Sequence, residues 1–305
     1  MIIPVFNEEQ NIFKLFDRLD SAVSNLGLTD LEYIFINDGS RDRSAIMIRE
    51  LSEKHRSVRY INFSRNFGHQ VAVTAGLDHC SGERVVIIDG DLQDPPELIP
   101  DLYRKMNEGF DVVYAKRSTR KGEGAFKKVT AKVFYRILSR ITAIDIPVDT
   151  GDFRIIDRKV VNVLRQMPEQ QKFIRGQISW IGFRQAFVEF ERDGRESGRS
   201  GYSMGKMLRL ALDGITSFSN FPLKFATIAG FFVSGISFLL MLYALYSRFI
   251  TKDYEPGWAS LMLTILFIGG IQLIGIGIIG EYISRISENV RKRPLYIIND
   301  TNINT

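Results

Sequence analysis

Val85-Val86-Ile87-Ile88-Asp89-Gly90-Asp91-Leu92-Gln93-Asp94-Pro95-Pro96 passes from four β-branched residues straight into carboxylates, an amide and a double proline. The β-branched run predicts a short buried strand, and the prolines stop it. Residues two apart in extended chain point the same way, so Asp89 and Asp91 can converge on one point. Two like charges that close repel unless a cation or a proton lies between them. A hard divalent ion with oxygen ligands, Mg²⁺ or Mn²⁺, suits such a pair and commonly also binds phosphates. An acidic surface turn after an edge strand explains the same residues, and Asp-x-Asp alone does not separate the two readings.

Outward from that stretch, strand and helix alternate. Residues 2–6 are β-rich and end in Asn7-Glu8-Glu9. Residues 11–26 place Ile12, Leu15, Phe16, Leu19, Val23 and Leu26 at helical spacing, with Asn11 as N-cap and Gly27 as the stop. A strand over 31–36 leads to Asn37-Asp38-Gly39-Ser40, and a helix over 45–54 follows. A strand over 58–63 leads to Ser64-Arg65-Asn66-Phe67-Gly68, and a helix over 70–79 returns to the opening stretch. This order predicts an α/β, Rossmann-like, mainly parallel sheet. Asn7, Asp38, Asn66 and Asp89 then share the carboxyl edge, where such sheets bind ligands. Four polar strand ends favour one shared site more than Asp-x-Asp does.

Further on, the patterns predict a helix over 96–108, a strand over 111–115, a basic loop over 116–122 and an amphipathic helix over 126–141. A polar turn over 149–154 then enters 155–157, followed by a helix over 160–167 and strands over 178–183 and 185–190. His55, His69 and His79 are not spaced as a metal site and read as surface or packing residues.

The 305 residues allow one large domain plus something smaller. Residues 225–246 and 259–280 carry no formal charge, and each reaches the roughly 20 residues needed to cross a bilayer. They predict a two-span hairpin. Lys206, Arg209 and Lys224 precede it, and Arg285, Arg291, Lys292 and Arg293 follow it. The joining loop offsets Arg248 and Lys252 with Asp253 and Glu255, which places the main domain and both tails in the cytoplasm. Tyr254, Trp258 and Tyr282 suit the membrane interface. Residues 202–218 read as an amphipathic helix in the headgroup layer, or as a partner helix. The expected division is a catalytic domain over 1–201, a juxtamembrane helix over 202–222, the hairpin over 223–284 and a cytoplasmic tail over 285–305. No cleavable signal peptide is expected at the start. The net charge of +5 suits a bilayer better than nucleic acid, because no aromatic-basic motif is present. Cys80 is the one cysteine, which excludes an intramolecular disulfide and fits a reducing compartment. Gly275-Ile276-Gly277-Ile278-Ile279-Gly280 matches a dinucleotide fingerprint in letters only; inside an apolar span it reads as close helix packing, within the hairpin or between subunits.

Ile3-Pro4-Val5-Phe6-Asn7-Glu8-Glu9, Asn37-Asp38-Gly39-Ser40, Asn66-Phe67-Gly68, the opening Asp89–Pro96 motif and Gly151-Asp152-Phe153-Arg154 together resemble the GT-A family 2 glycosyltransferases. The nearest branch is the polyprenyl-phosphate transferases, dolichol-phosphate mannose synthase and its bacterial relatives. The hairpin, Gly280-Glu281-Tyr282-Ile283 and Arg293-Pro294-Leu295-Tyr296 resemble the GtrB-type undecaprenyl-phosphate glucosyltransferases and the related aminoarabinose-phosphate transferase. The resemblance spans essentially the whole chain.

It implies that Pro4, Phe6, Asn7, Glu8 and Asp38 hold the base and ribose of a nucleotide sugar, UDP-glucose in that branch. Asp89, Asp91 and Gln93 bind Mg²⁺ or Mn²⁺ on the diphosphate, with Gly90 between the aspartates where alanine is usual. Arg117 helps to hold phosphate. Arg195-Glu196-Ser197-Gly198-Arg199-Ser200-Gly201-Tyr202-Ser203 resembles the acceptor loop for undecaprenyl phosphate through Arg195 and Ser200; Gly201 replaces a lysine, for which Arg199 can substitute. Asp152 matches the carboxylate proposed as base. The implied setting is a bacterial inner membrane, and the implied assembly a homo-oligomer, a tetramer in that branch. Other donors (GDP-mannose, UDP-galactose, UDP-GlcNAc, UDP-aminoarabinose) stay open. A processive synthase is disfavoured because Gln171-Lys172-Phe173-Ile174-Arg175-Gly176 lacks the expected tryptophan. A membrane-anchored nucleotide-binding scaffold would not need Asp89, Asp91, Gln93 and Asp152 together.

Overall fold

The computed structural model describes residues 1–28, 30–117, 150–190, 221–246 and 257–303. The described elements fall into two units. One holds an eight-stranded sheet with its helices, and the other holds two long apolar helices.

The sheet strands are β1 (Ile2–Val5), β2 (Tyr33–Asn37), β3 (Val58–Phe63), β4 (Arg84–Ile87), β5 (Val112–Arg117), β6 (Thr150–Asp157), β7 (Gln185–Phe190) and β8 (Ile298–Thr301). Their order is β7-β5-β6-β4-β1-β2-β3-β8. β4, β1, β2 and β3 run parallel, as do β7 and β5, whereas β6 and β8 are antiparallel to their neighbours. The mainly parallel expectation therefore resolves into a mixed sheet. Strand residues alternate between two buried layers. Ile3, Phe35, Val86 and Val113 face one, and Ile2, Ile34, Ile36, Ile87 and Val112 face the other. A sheet covered on both faces explains why its strands read as continuous apolar runs.

The first layer is closed by α1 (Ile12–Ser24), α2 (Ser44–Lys54) and α4 (Ile99–Asn107), the last preceded by a 3₁₀ turn at Pro96–Leu98. The second is closed by α3 (His69–His79), α5 (Arg158–Gln166) and α6 (Ile174–Ile181). Leu15, Phe16, Leu19 and Val23 of α1 are all buried, and each contributes about 1.5–3 kcal/mol by leaving water. Asn11 holds the N-cap position of α1, but its side chain donates to Glu8 Oε2 at 2.6 Å instead of capping the helix.

Two expectations are corrected. The polar turn over 149–154 belongs, from Thr150 onward, to β6. Its polar residues conceal a strand because Arg154, 1% exposed, is neutralised inside the sheet by Asp152. The strand over 178–183 is instead the end of α6. Ile174 and Ile178, four apart, are buried, and Gly182 closes the helix at φ 76°.

In the second unit, α7 (Phe221–Tyr246) and α8 (Trp258–Arg291) contact each other as a hairpin. Segments 221–240 and 267–291 are long and apolar enough to cross a membrane, and their side chains are not buried by protein. Phe231 is 77% exposed and Leu273 70%, which calls for lipid or a partner. α8 continues past the expected span end at 280, with Arg285 paired to Glu281 at 3.1 Å. A Cβ added at Gly275, Gly277 or Gly280 would meet nothing within 4 Å, so the expected close packing within the hairpin does not involve these glycines. After α8 the chain adds β8 to the sheet edge, where the sequence reading saw only a tail. The expected basic loop from 118, the expected helices over 126–141 and 202–218, and the segment between the spans up to 256 lie outside the described residues.

Candidate functional site

The carboxyl ends of β1, β2, β3 and β4 are tied loop to loop. Asn7, at φ 57°, donates its N–H to Ser40 Oγ (2.9 Å) and accepts from Arg41 N on Oδ1 (2.8 Å). Glu8 N donates to Ser44 Oγ, and Glu9 N to Asp42 Oδ2. Gly39 sits at φ +65°, with the place of a Cβ only 2.4 Å from the Arg65 backbone, so only glycine lets the two loops meet. Asp38 is 3% exposed, and its carboxylate accepts from Phe67 N (2.7 Å) and Gly68 N (3.0 Å). Burial raises its pKa against those bonds. Asp38 therefore shapes the β3–α3 loop.

The centre of the site follows from sheet register. β6 runs antiparallel to β4 with Ile87 opposite Arg154. One step forward on β4 is one step back on β6, so Asp89 comes level with Asp152. His69, the first residue of α3, closes the triangle: Nε2 lies 2.9 Å from Asp152 Oδ2 and 3.6 Å from Asp89 Oδ1. Among the described residues, His69, Asp89 and Asp152 are the group whose ligating atoms all lie within 4.8 Å of one another. Arg154 Nη2 donates to Asp152 Oδ1 at 2.5 Å, Arg175 Nη2 approaches the same oxygen at 3.5 Å, and Gln70 Nε2 reaches Oδ2 at 3.4 Å.

These surroundings push the two carboxylates apart. Burial, then the nearby charges of Asp152, Asp91 and Asp94, push Asp89 up to about 6, although His69 opposes this. Burial would also raise Asp152, but the His69 hydrogen bond and the Arg154 and Arg175 charges hold it well below the usual carboxylate range. Burial disfavours a charged His69, yet the Asp152 hydrogen bond and the Asp89 and Asp152 charges outweigh it and raise its pKa.

The site fits a hard cation. Asp89 Oδ1 is buried without a hydrogen-bond partner, and Asp91 and Asp94 add negative charge around it. Asp91 Oδ1 accepts the Gln93 backbone N–H at 3.0 Å, which folds the motif back on itself with Leu92 at φ 56°. A Cβ on Gly90 would lie 3.0 Å from the Pro4 carbonyl, so the motif's turn rests directly on β1.

The structure thus brings Asn7, Glu8, Asp38, Asp89, Gly90, Asp91, Gln93 and Asp152 to one sheet edge. Glu8 lies near enough to Asp91 for that charge to add to the burial that raises its pKa, against the Asn11 hydrogen bond. Phe6 is 45% exposed, while Pro4 is buried within β1. Arg117 is the last residue of β5. Arg195, Arg199 and Ser200 lie outside the described residues. The sequence reading missed His69, Gln70, Arg154 and Arg175. His69 could have been found: it directly follows a polar strand end at the same edge as Asp89.

Residues 1–165 match the family described as glycosyl transferase family 2, and residues 221–286 match the GtrB C-terminal hairpin. The glycosyltransferase YkcC of Bacillus subtilis is 49% identical over 298 residues, 98% of this chain and 92% of that protein. A glycosyltransferase of Synechocystis is 47% identical over 303 residues, covering 98% and 94%. The SfII prophage-derived bactoprenol glucosyl transferase of Shigella flexneri is 43% identical over 298 residues, covering 98% and 96%.

Proposed function

The chain belongs to glycosyl transferase family 2 and carries the GtrB C-terminal hairpin, and on that premise we propose that it transfers glucose from UDP-glucose to undecaprenyl phosphate at the cytoplasmic face of a bacterial inner membrane. The observation that carries this reading is the 43% identity to a bactoprenol glucosyl transferase over 98% of the chain, catalytic sheet and hairpin together. The charge bias around the hairpin supports the orientation. A lipid acceptor also gives the unburied helices a reason to share a chain with the sheet. The division we propose is catalytic residues 1–201, an interfacial helix over 202–222 and the hairpin over 223–284. A homotetramer would match the GtrB-type branch.

The reaction is a direct displacement at the anomeric carbon by a phosphate oxygen of the lipid, with inversion and UDP as the leaving group. Pro4, Phe6, Asn7, Glu8 and Asp38 would hold the nucleoside, Asp38 through the loop it fixes. Asp89, Asp91 and Gln93 would hold Mg²⁺ or Mn²⁺, which supplies positive charge against the diphosphate as it leaves. Arg117, Arg195, Arg199 and Ser200 would receive phosphate oxygens. The lipid phosphate is already anionic near neutral pH, so it needs no strong base. Asp152, with its pKa held low, suits orientation of the acceptor and of His69 better than proton abstraction.

Donor choice is tested by thermal unfolding of the detergent-solubilised protein with Mn²⁺ and each nucleotide sugar. UDP-glucose is expected to raise the melting temperature more than GDP-mannose, UDP-galactose or UDP-GlcNAc. A larger shift with another donor sinks the glucose assignment.

A further inference from the structure

We propose that Arg175 is a phosphate-gripping residue of this site, taking either the donor's diphosphate or the acceptor's phosphate. The proposal rests on the phosphate-to-phosphate transfer set out above. Two arginines approach Asp152, and they are tied very differently. Arg154 is 1% exposed and held by three bonds to its own strand, with Nη1 left buried and unpartnered: Nε donates to the Asp152 carbonyl (3.0 Å), and Nη2 donates to the Gly151 carbonyl (3.3 Å) and to Asp152 Oδ1 (2.5 Å). It belongs to the sheet. Arg175, in the first turn of α6, is 22% exposed. It reaches Asp152 Oδ1 only at 3.5 Å, beyond the 2.7–2.9 Å of a charge-assisted bond. Its Nε is buried with no partner.

Asp152 does not need this second arginine. It already accepts short bonds from Arg154 and His69. A partly exposed guanidinium with an unpaired N–H and only a long contact to a carboxylate that already accepts two shorter bonds can turn to a second anion at little cost. Its planar fork matches two phosphate oxygens, a geometry that a lysine cannot reproduce. The N-terminus of α6 is not itself the site, because the Ile174 N–H is taken by Gln70 Oε1 at 3.2 Å. The same Gln70 contacts Asp152 through Nε2, so the turn carrying Arg175 is held in register with the carboxylate.

The test uses the full-length protein in nanodiscs, comparing wild type, Arg175→Gln and Arg175→Lys. One arm measures KM for undecaprenyl phosphate at saturating UDP-glucose and Mn²⁺. The other measures the Kd of UDP with Mn²⁺ by calorimetry, which needs no turnover. Arg175→Gln is expected to raise one of these constants by about tenfold, with Arg175→Lys recovering only part. A rise in KM assigns the acceptor phosphate, and a rise in Kd assigns the donor. If both constants stay within about twofold of wild type in both variants, the proposal is overturned. Wild type that binds UDP but never glucosylates the lipid sinks the proposed function instead, while the UDP arm still reads Arg175.

Discussion

Asp89, just past the end of β4, and Asp152, on the antiparallel β6, meet at one sheet edge, yet their environments move them in opposite directions. Asp152 faces two arginines and a histidine. Asp89 faces burial and three other carboxylates, so its proton leaves only near pH 6. A cation entering the site must displace that proton, and a protonated His69 opposes it as well. Mn²⁺ affinity should therefore fall as pH drops, by up to roughly tenfold per pH unit for each of these two protons, with the Asp89 part setting in below about 6. Calorimetric titration between pH 5 and 8 checks this, and Asp89→Asn should remove the dependence on Asp89 along with most of the binding. The folded state raises the Asp89 pKa from its ordinary 3.8, so the stabilisation is present below that value and is lost as pH rises toward 6. At this scale the sequence showed the carboxylates but not their partners. Asp89, Asp91 and Asp152 were legible because their neighbours in sequence are motifs. Arg175 was not, because a single arginine at a helix start acquires meaning only when the fold brings a carboxylate to it, and His69 offered only its place directly after a polar strand end.

Elements built on simple periodicity were legible, and those that break it were not. The first four strands and three helices read correctly because each strand is apolar on both faces and α1 shows clear helical spacing. β6 was hidden by Gly151, Asp152 and Arg154, polar residues that a sheet interior tolerates only when they are paired. α6 was hidden by its eight-residue length. β8 was hidden because Ile298–Thr301 is mostly polar, and its fit depends on the edge it meets. Asp300 accepts from Arg49 Nη2 (2.8 Å) and Asn62 Nδ2 (3.0 Å), and Tyr296 stacks on Phe63 with ring centroids 5.2 Å apart. Ending the chain after Pro294 should cost the catalytic unit about 2–4 kcal/mol, from lost ladder bonds and the aromatic pair. Hydrogen exchange reads this directly: amides of β3 should exchange faster while those of β5 do not. Unchanged β3 protection would mean that β8 adds nothing to the edge.

At the scale of the molecule, a family 2 glycosyltransferase sheet and an apolar hairpin share one chain. Both were readable, the sheet from motif order and the hairpin from two uncharged runs, while the identity of the hexose does not follow from these residues. In the function proposed above, the strand-end carboxylates serve sugar transfer to a lipid phosphate. The most direct measurement incubates the purified protein in nanodiscs with radiolabelled UDP-glucose, undecaprenyl phosphate and Mn²⁺, and counts label passing into the organic phase. Label transfer by wild type is expected to depend on the added lipid and to fall by at least about 100-fold in Asp89→Ala. Label that stays in the aqueous phase with wild type, or an Asp89→Ala variant that transfers at the wild-type rate, would contradict it.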